Sequence, residues 1–306
     1  MGSTKCEVVA MLGILSVFLS SCFFGFSNAY WKKAIANHPF LPIIFIRGLY
    51  SCTFFFICCL LDKFYGVFQP WLGISPHLTF EHVCLSIALC LFSGLGLFCF
   101  VKSIKESTVS LVIPLSSLNI FGLLTAVFVL GENWEPRYYG ALFFVLLGIF
   151  LIYQRELRFN SSREFLHSLV GGLLASFFWG VSYTLFKYPI GWLGVLRFTF
   201  LLEFCVTSMV GVLMWIQGVR WAIIPQKPVR ILAFCLIMGS VLLHVAYQFA
   251  SMTQIVFAGK FQLIISLMVG QILYREKLGV FQWFGLSLLI TSIYLIYVIK
   301  RLLPNH

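Results

Sequence analysis

The chain has 306 residues, 60% of them hydrophobic and only 10% Asp, Glu, Lys or Arg; soluble domains carry about 25% charged residues, so a soluble globule is excluded. The formal net charge of +11, from 21 Lys and Arg against 10 Asp and Glu, gathers at the ends of apolar runs. It forms no basic cluster with interleaved aromatics, so no nucleic-acid partner is expected. Crossing roughly 30 Å of hydrocarbon at about 1.5 Å per residue takes about 20 apolar residues, which leaves room for about ten spans and little besides.

Apolar runs bounded by charges, Pro or Gly predict transmembrane helices near residues 8–30, 42–61, 82–101, 108–130, 138–154, 168–187, 193–217, 230–250, 253–274 and 280–299. Leu19-Ser20-Ser21-Cys22 in the first run has the form of a lipoprotein cleavage site. Lys5 and Glu7 cancel before it, however, and the run continues unbroken to Tyr30, so the helix is expected to remain. The polar stretches 62–81, 155–167 and 217–230 are too short to fold alone. All the Cys except Cys6 lie in apolar runs, without a CxxC pair or a His at ligand spacing. They read as small apolar side chains, and neither disulfides, a metal nor a cofactor is expected.

Small residues four apart mark packing ridges in lipid, as at Ser21 with Gly25 and at Gly172, Ser176 and Gly180. Close approach at Gly25 and Gly180 would turn Ser27, Asn28, Ser182 and Tyr183 toward a cavity. Pro114 in span four and Gly259 in span nine both weaken a helix, one by removing a hydrogen bond and the other a side-chain restraint. The carbonyls so freed need partners, either substrate or water in a cavity, or neighbours at a static kink.

Glu203, His244 and Lys260 lie well inside spans seven, eight and nine, where a charge costs about 2.5–3.5 kcal/mol, so they should face protein or water. Arg197 precedes Glu203 by six residues, about 120° away around the helix, and is no natural partner. Lys260 is the expected partner of Glu203, or His244 bridges them, as a proton-coupling group or a structural trio. Alternatively Lys260 meets a substrate carboxylate or phosphate, with Arg47 or Arg197 as a second anchor; the two Arg near span ends are expected to snorkel to the headgroups. Trp179, Tyr183, Tyr247 and Phe261 offer rings to a heterocycle or cation. Glu132 and Glu276, at the ends of spans four and nine, are expected to hold a helix terminus or to pair with Arg137 or Lys277. No nucleophile set, phosphate loop or carboxylate pair suggests an enzyme. Asn160-Ser161-Ser162 fits a glycosylation sequon.

The chain repeats itself. Phe24-Gly25-Phe26-Ser27 answers Trp179-Gly180-Val181-Ser182 at an offset of 155, with Ser21 and Ser176 before and Lys32 and Lys187 after. Arg47 and Arg197 follow at 150, and Val129 to Asn133 answers Leu273 to Lys277 at 144. Residues 1–154 and 168–306 are thus expected to be two five-helix repeats around a linker at 155–167. An odd number of spans per half inverts the second relative to the first, an architecture of secondary transporters. The expected fold is an all-α membrane protein of ten transmembrane helices, with both termini on one side.

In these features the chain resembles the ten-span EamA-like members of the drug/metabolite transporter superfamily. The resemblance rests on the aromatic-Gly-x-Ser elements with a downstream Lys, on Arg47 and Arg197, on Pro114, and on Leu130-Gly131-Glu132 followed by Gly140 and Gly148. It implies a carrier in the cell (inner) membrane whose cavity is lined by spans one, three, four, six, eight and nine, with five and ten peripheral. It also implies export or exchange of amino acids and related metabolites, or import of S-adenosylmethionine as in some intracellular bacteria. A non-transporting assembly or lipid-handling protein is the alternative. The second half departs from the pattern at Ala258-Gly259-Lys260 and Tyr274-Arg275-Glu276. Cytoplasmic termini, which the resemblance suggests, would leave six Lys and Arg on the cytoplasmic face against twelve opposite, so the positive-inside rule prefers the reverse orientation.

Overall fold

The computed structural model describes residues 2–66, 78–107, 109–154, 162–219, 226–275 and 278–297. Among them the chain is helical throughout, with no strand: α1 (Gly2–Ile35), α2 (Phe40–Tyr65), α3 (Phe80–Glu106), α4 (Val109–Ser116), α5 (Ile120–Phe128), α6 (Pro136–Gln154), α7 (Ser162–Leu185), α8 (Lys187–Leu193), α9 (Val195–Ile216), α10 (Gln226–Phe249), α11 (Met252–Ala258), α12 (Phe261–Tyr274) and α13 (Val280–Tyr297). Among the described residues six stretches are long and apolar enough to cross a membrane: Met11–Ile35, Phe40–Tyr65, Phe80–Glu106, Val195–Ile216, Lys227–Phe249 and Met252–Tyr274. Leu169–Leu185 with Lys187–Leu193 makes a further one, bent by 41°, and Val112–Phe128, Tyr138–Gln154 and Val280–Ile296 are shorter apolar helices. The protein is therefore a multi-pass membrane protein. Its outside is apolar, with Phe54, Phe128, Phe143, Trp215 and Phe284 exposed on different helices. Such a surface is stable against acyl chains and not against water. Glu276, Lys277, and Asn160 and Ser161 of the sequon lie outside the described residues.

Besides the bent pair of α7 and α8, the chain is broken between α4 and α5 and between α11 and α12. In span four, Pro114 sits within α4, where it has no N–H to give the preceding turn. The helix closes with Ser117 N–H on the Ile113 carbonyl and Leu118 N–H on that of Leu115. Asn119 then turns left-handed at φ 49°, a conformation Asn tolerates better than most residues, and gives its N–H to Ser176 Oγ at 3.2 Å. In span nine, α11 starts with a capping box between Ser251 and Gln254 and stops at Gly259. Phe261 opens α12 two residues later.

Packing joins each half to the other. Helix α1 lies along α10 and α12, while α7, its counterpart in the second half, lies along α3, α4 and α5. Helix α2 packs on α9, and α6 on α13. Lipid gives helices no hydrophobic reason to associate, so close backbone approach at small residues has to hold them. Gly25 presses on α12, where an added Cβ would stand 2.7 Å from the Ile265 Cβ. Gly180 presses on α5 in the same way, its Cβ falling 2.8 Å from the Gly122 nitrogen. The two glycines of the repeated element thus make equivalent contacts on the broken spans of opposite halves.

Candidate functional site

The helices enclose a cavity of about 140 Å³. Its wall draws on α1, α2, α3, the α4–α5 break, α7, α9, α10 and the α11–α12 break, and on nothing from α6 or α13. Spans two and seven reach it through Arg47 and Glu203. These two are the wall's ionisable Arg, Lys, His, Asp or Glu residues among the described ones, and they are 3% and 5% exposed. Arg47 Nη1 donates to both Glu203 oxygens, at 2.9 and 2.6 Å, across 156 residues of sequence. The pairing satisfies a charge on each helix that would otherwise be stranded at membrane depth.

Around the pair the wall is aromatic and polar. Trp179 donates its indole N–H to the Ser93 carbonyl at 3.2 Å and stacks on Tyr183, with ring centroids 6.0 Å apart and 13° between planes. Tyr247 lines the wall from α10, and Ser240 stands on the same helix. Asn28, buried on α1, also lines it, and its Nδ2 has no hydrogen-bond partner among the described residues.

Four of the expected substrate-contacting residues, Asn28, Tyr183, Glu203 and Tyr247, therefore share the cavity. His244 and Lys260 are buried beside it and do not line it. The expected trio of Glu203, His244 and Lys260 does not form. His244 Nδ1 pairs with Thr199 Oγ1 at 2.6 Å, next to the rings of Phe186, Phe198 and Tyr247. Lys260, 1% exposed, gives its Nζ to the carbonyls of Ser117 and Leu118 at 2.5 and 2.8 Å. Carbonyls past the end of a helix lack intrahelical donors and carry the negative end of its dipole, so they serve an ammonium in place of a carboxylate. The break in span nine thereby caps the break in span four.

The expectation that Arg47 snorkels is likewise overturned, because Glu203 holds it in the interior; Arg197 has an exposed side chain. Phe261 packs edge-on against Phe18 at 5.4 Å, Pro114 is buried within α4, and Gly259 contributes to the cavity wall. Glu132 holds the start of α11: its carboxylate accepts from Met252 N–H at 2.7 Å, Thr253 N–H at 2.9 Å and Thr253 Oγ1 at 2.7 Å. Lys187 Nζ stands 3.8 Å away. Glu132→Ala removes all three bonds and the favourable charge at a helix N-terminus, and is expected to cost about 2–3 kcal/mol. SDS titration followed by circular dichroism would read this as earlier unfolding, with E132Q, which keeps one acceptor oxygen, falling between.

Sequence reasoning held Arg47 as a possible second anchor but favoured the headgroups for it, and it missed the Ser117 and Leu118 carbonyls as a cation site. The available signal for Arg47 was its position a few residues inside an apolar run.

A helical, multi-pass protein with an apolar outside and a polar, ion-paired hollow between two similar halves has the build of a membrane transporter. The EamA-like transporter family matches residues 11–154 and again residues 167–298. The chain belongs to that family, and it is a membrane transporter of the drug/metabolite type. No curated protein was found to match it in sequence. A solved crystal structure, identified only as that of a protein, superposes with a TM-score of 0.69 at 12% identity, over 97% of this chain and 98% of that one. This likeness shows a shared fold.

Proposed function

We propose that the protein is a secondary transporter carrying a small organic metabolite, amino-acid-like or adenosyl-containing such as S-adenosylmethionine, across the cell (inner) membrane by alternating access. The observation that carries this is the cavity, with a buried Arg47–Glu203 pair and an unpartnered Asn28 donor in its wall. Trp179, Tyr183 and Tyr247 supply ring faces for a heterocycle, a sulfonium or an ammonium group. Ten spans in two inverted halves are supported by the paired family matches and by packing in which each half's first span lies on the other half's third and fourth. Rocking of one such half against the other exposes a central site to each side in turn. Exchange of one solute for another, or a proton gradient, supplies the driving force.

The test is uptake of labelled amino acids, S-adenosylmethionine, nucleosides and sugars by proteoliposomes holding the purified protein. Saturable flux of one class, accelerated by the same solute inside the vesicle, is expected. An imposed pH gradient that alters the steady-state level identifies proton coupling. Absence of saturable flux for every class would instead make the chain a membrane assembly or lipid-handling protein.

A further inference from the structure

The wall of the cavity holds one cation and one anion among the described residues, and each is the other's partner. The pair is not saturated. Arg47 reaches both carboxylate oxygens through Nη1, while among the described residues its buried Nε has no partner and neither has Asn28 Nδ2. Both residues line the cavity. Buried N–H groups are costly to leave without an acceptor, so two residues of one cavity wall that each keep such a donor call for an acceptor group as the wall adjusts around a solute. A carboxylate, planar and doubly accepting, suits a guanidinium best.

A monoanion drawn to Arg47 would take it from Glu203 and leave that carboxylate buried and unpaired. A monocation drawn to Glu203 would strand Arg47 in the same way, and stranding one partner of a buried pair is the expensive outcome. A solute bearing both charges avoids either penalty, since each end replaces one protein partner. Resting on the transporter reading above, we propose that Arg47, Asn28 and Glu203 form a divided clasp for a zwitterion, with the solute carboxylate on Arg47 and Asn28 and its ammonium on Glu203. Arg47 stands on α2 and Glu203 on α9, in opposite halves. Replacing their mutual bond by two bonds to the solute therefore also removes a tie between the halves, and a solute of the right charge pattern loosens what must move.

The experiment uses the full chain in proteoliposomes. The proteinogenic amino acids serve as probes, and the best of them is compared with its deaminated acid and its decarboxylated amine. The zwitterion is expected to be carried at least about tenfold more efficiently (kcat/KM) than either singly charged analogue, the factor that about 1.4 kcal/mol supplies. This comparison needs no variant. Arg47→Gln is expected to bring the amine to within about threefold of the zwitterion, and Glu203→Gln to do the same for the acid, since each leaves a single charge in the wall. Poor folding cannot produce such opposite changes of preference. Asn28→Leu, which alters no charge, is expected to raise KM for the zwitterion about tenfold through one lost hydrogen bond to a charged group. An acid or amine carried as well as the zwitterion by the unaltered protein overturns the clasp. Flux of a nucleoside or sugar with none of any amino acid overturns it too, while the transporter reading stands. No saturable flux at all overturns both.

Discussion

Arg47→Leu is expected to destabilise the protein by about 3–5 kcal/mol, the cost of leaving a buried carboxylate without its counter-ion. Glu203 is 5% exposed and has no other cation within bonding distance among the described residues. Glu203→Leu should cost a similar amount by stranding the guanidinium. The double variant R47L/E203L is expected to recover most of the loss, because a buried pair replaced by apolar side chains of similar bulk is about neutral. Reversible unfolding in mixed micelles, analysed as a double-mutant cycle, reads the coupling directly. Single losses that simply add in the double variant would show that the two side chains do not depend on each other. Transport of the zwitterion should be absent in all three variants, including the stable double one, which separates the pair's part in function from its part in folding.

Lys260→Met is the second large effect. It removes the donor from the carbonyls of Ser117 and Leu118, which lie at a helix break in the protein interior. At about 1–3 kcal/mol for each acceptor left unpaired, the expected loss is about 2–5 kcal/mol. Lys260→Arg, which keeps the cation, should restore part of it. Faster hydrogen exchange in the first turn of α5 should accompany the change, since the break is then free to open. A Lys260 that bound solute directly would behave differently, raising KM while leaving the unfolding midpoint in place.

That the chain is helical and crosses the membrane repeatedly was legible because lipid allows few solutions: about 20 apolar residues per crossing, with glycines where backbones meet. Gly25 and Gly180 could be read as contact points from their spacing, and the structure puts them on opposite broken spans. The partners of buried charges were not legible. Position within an apolar run shows that Glu203 and Lys260 need satisfaction, and no local rule says by what. Pairing charge with charge inside one half was the obvious expectation. It fails because the second span faces the seventh, bringing Arg47 to Glu203, and because a broken helix offers carbonyls as good for an ammonium as a carboxylate is. The break itself was only half visible. Pro114 announces it, while the left-handed turn falls five residues later at Asn119, with no Gly there to mark it.

The bond between Arg47 and Glu203 also sets a timetable for biosynthesis. Glu203 is made 156 residues after Arg47, so at about 5–20 residues per second a nascent chain carries an uncompensated guanidinium for roughly 8–30 s. The Ser117 and Leu118 carbonyls wait almost as long for Lys260, which follows by 143 and 142 residues. The first half therefore leaves the ribosome as an unfinished body, and an insertase or chaperone that shelters it until the trailing half arrives would govern the yield of protein.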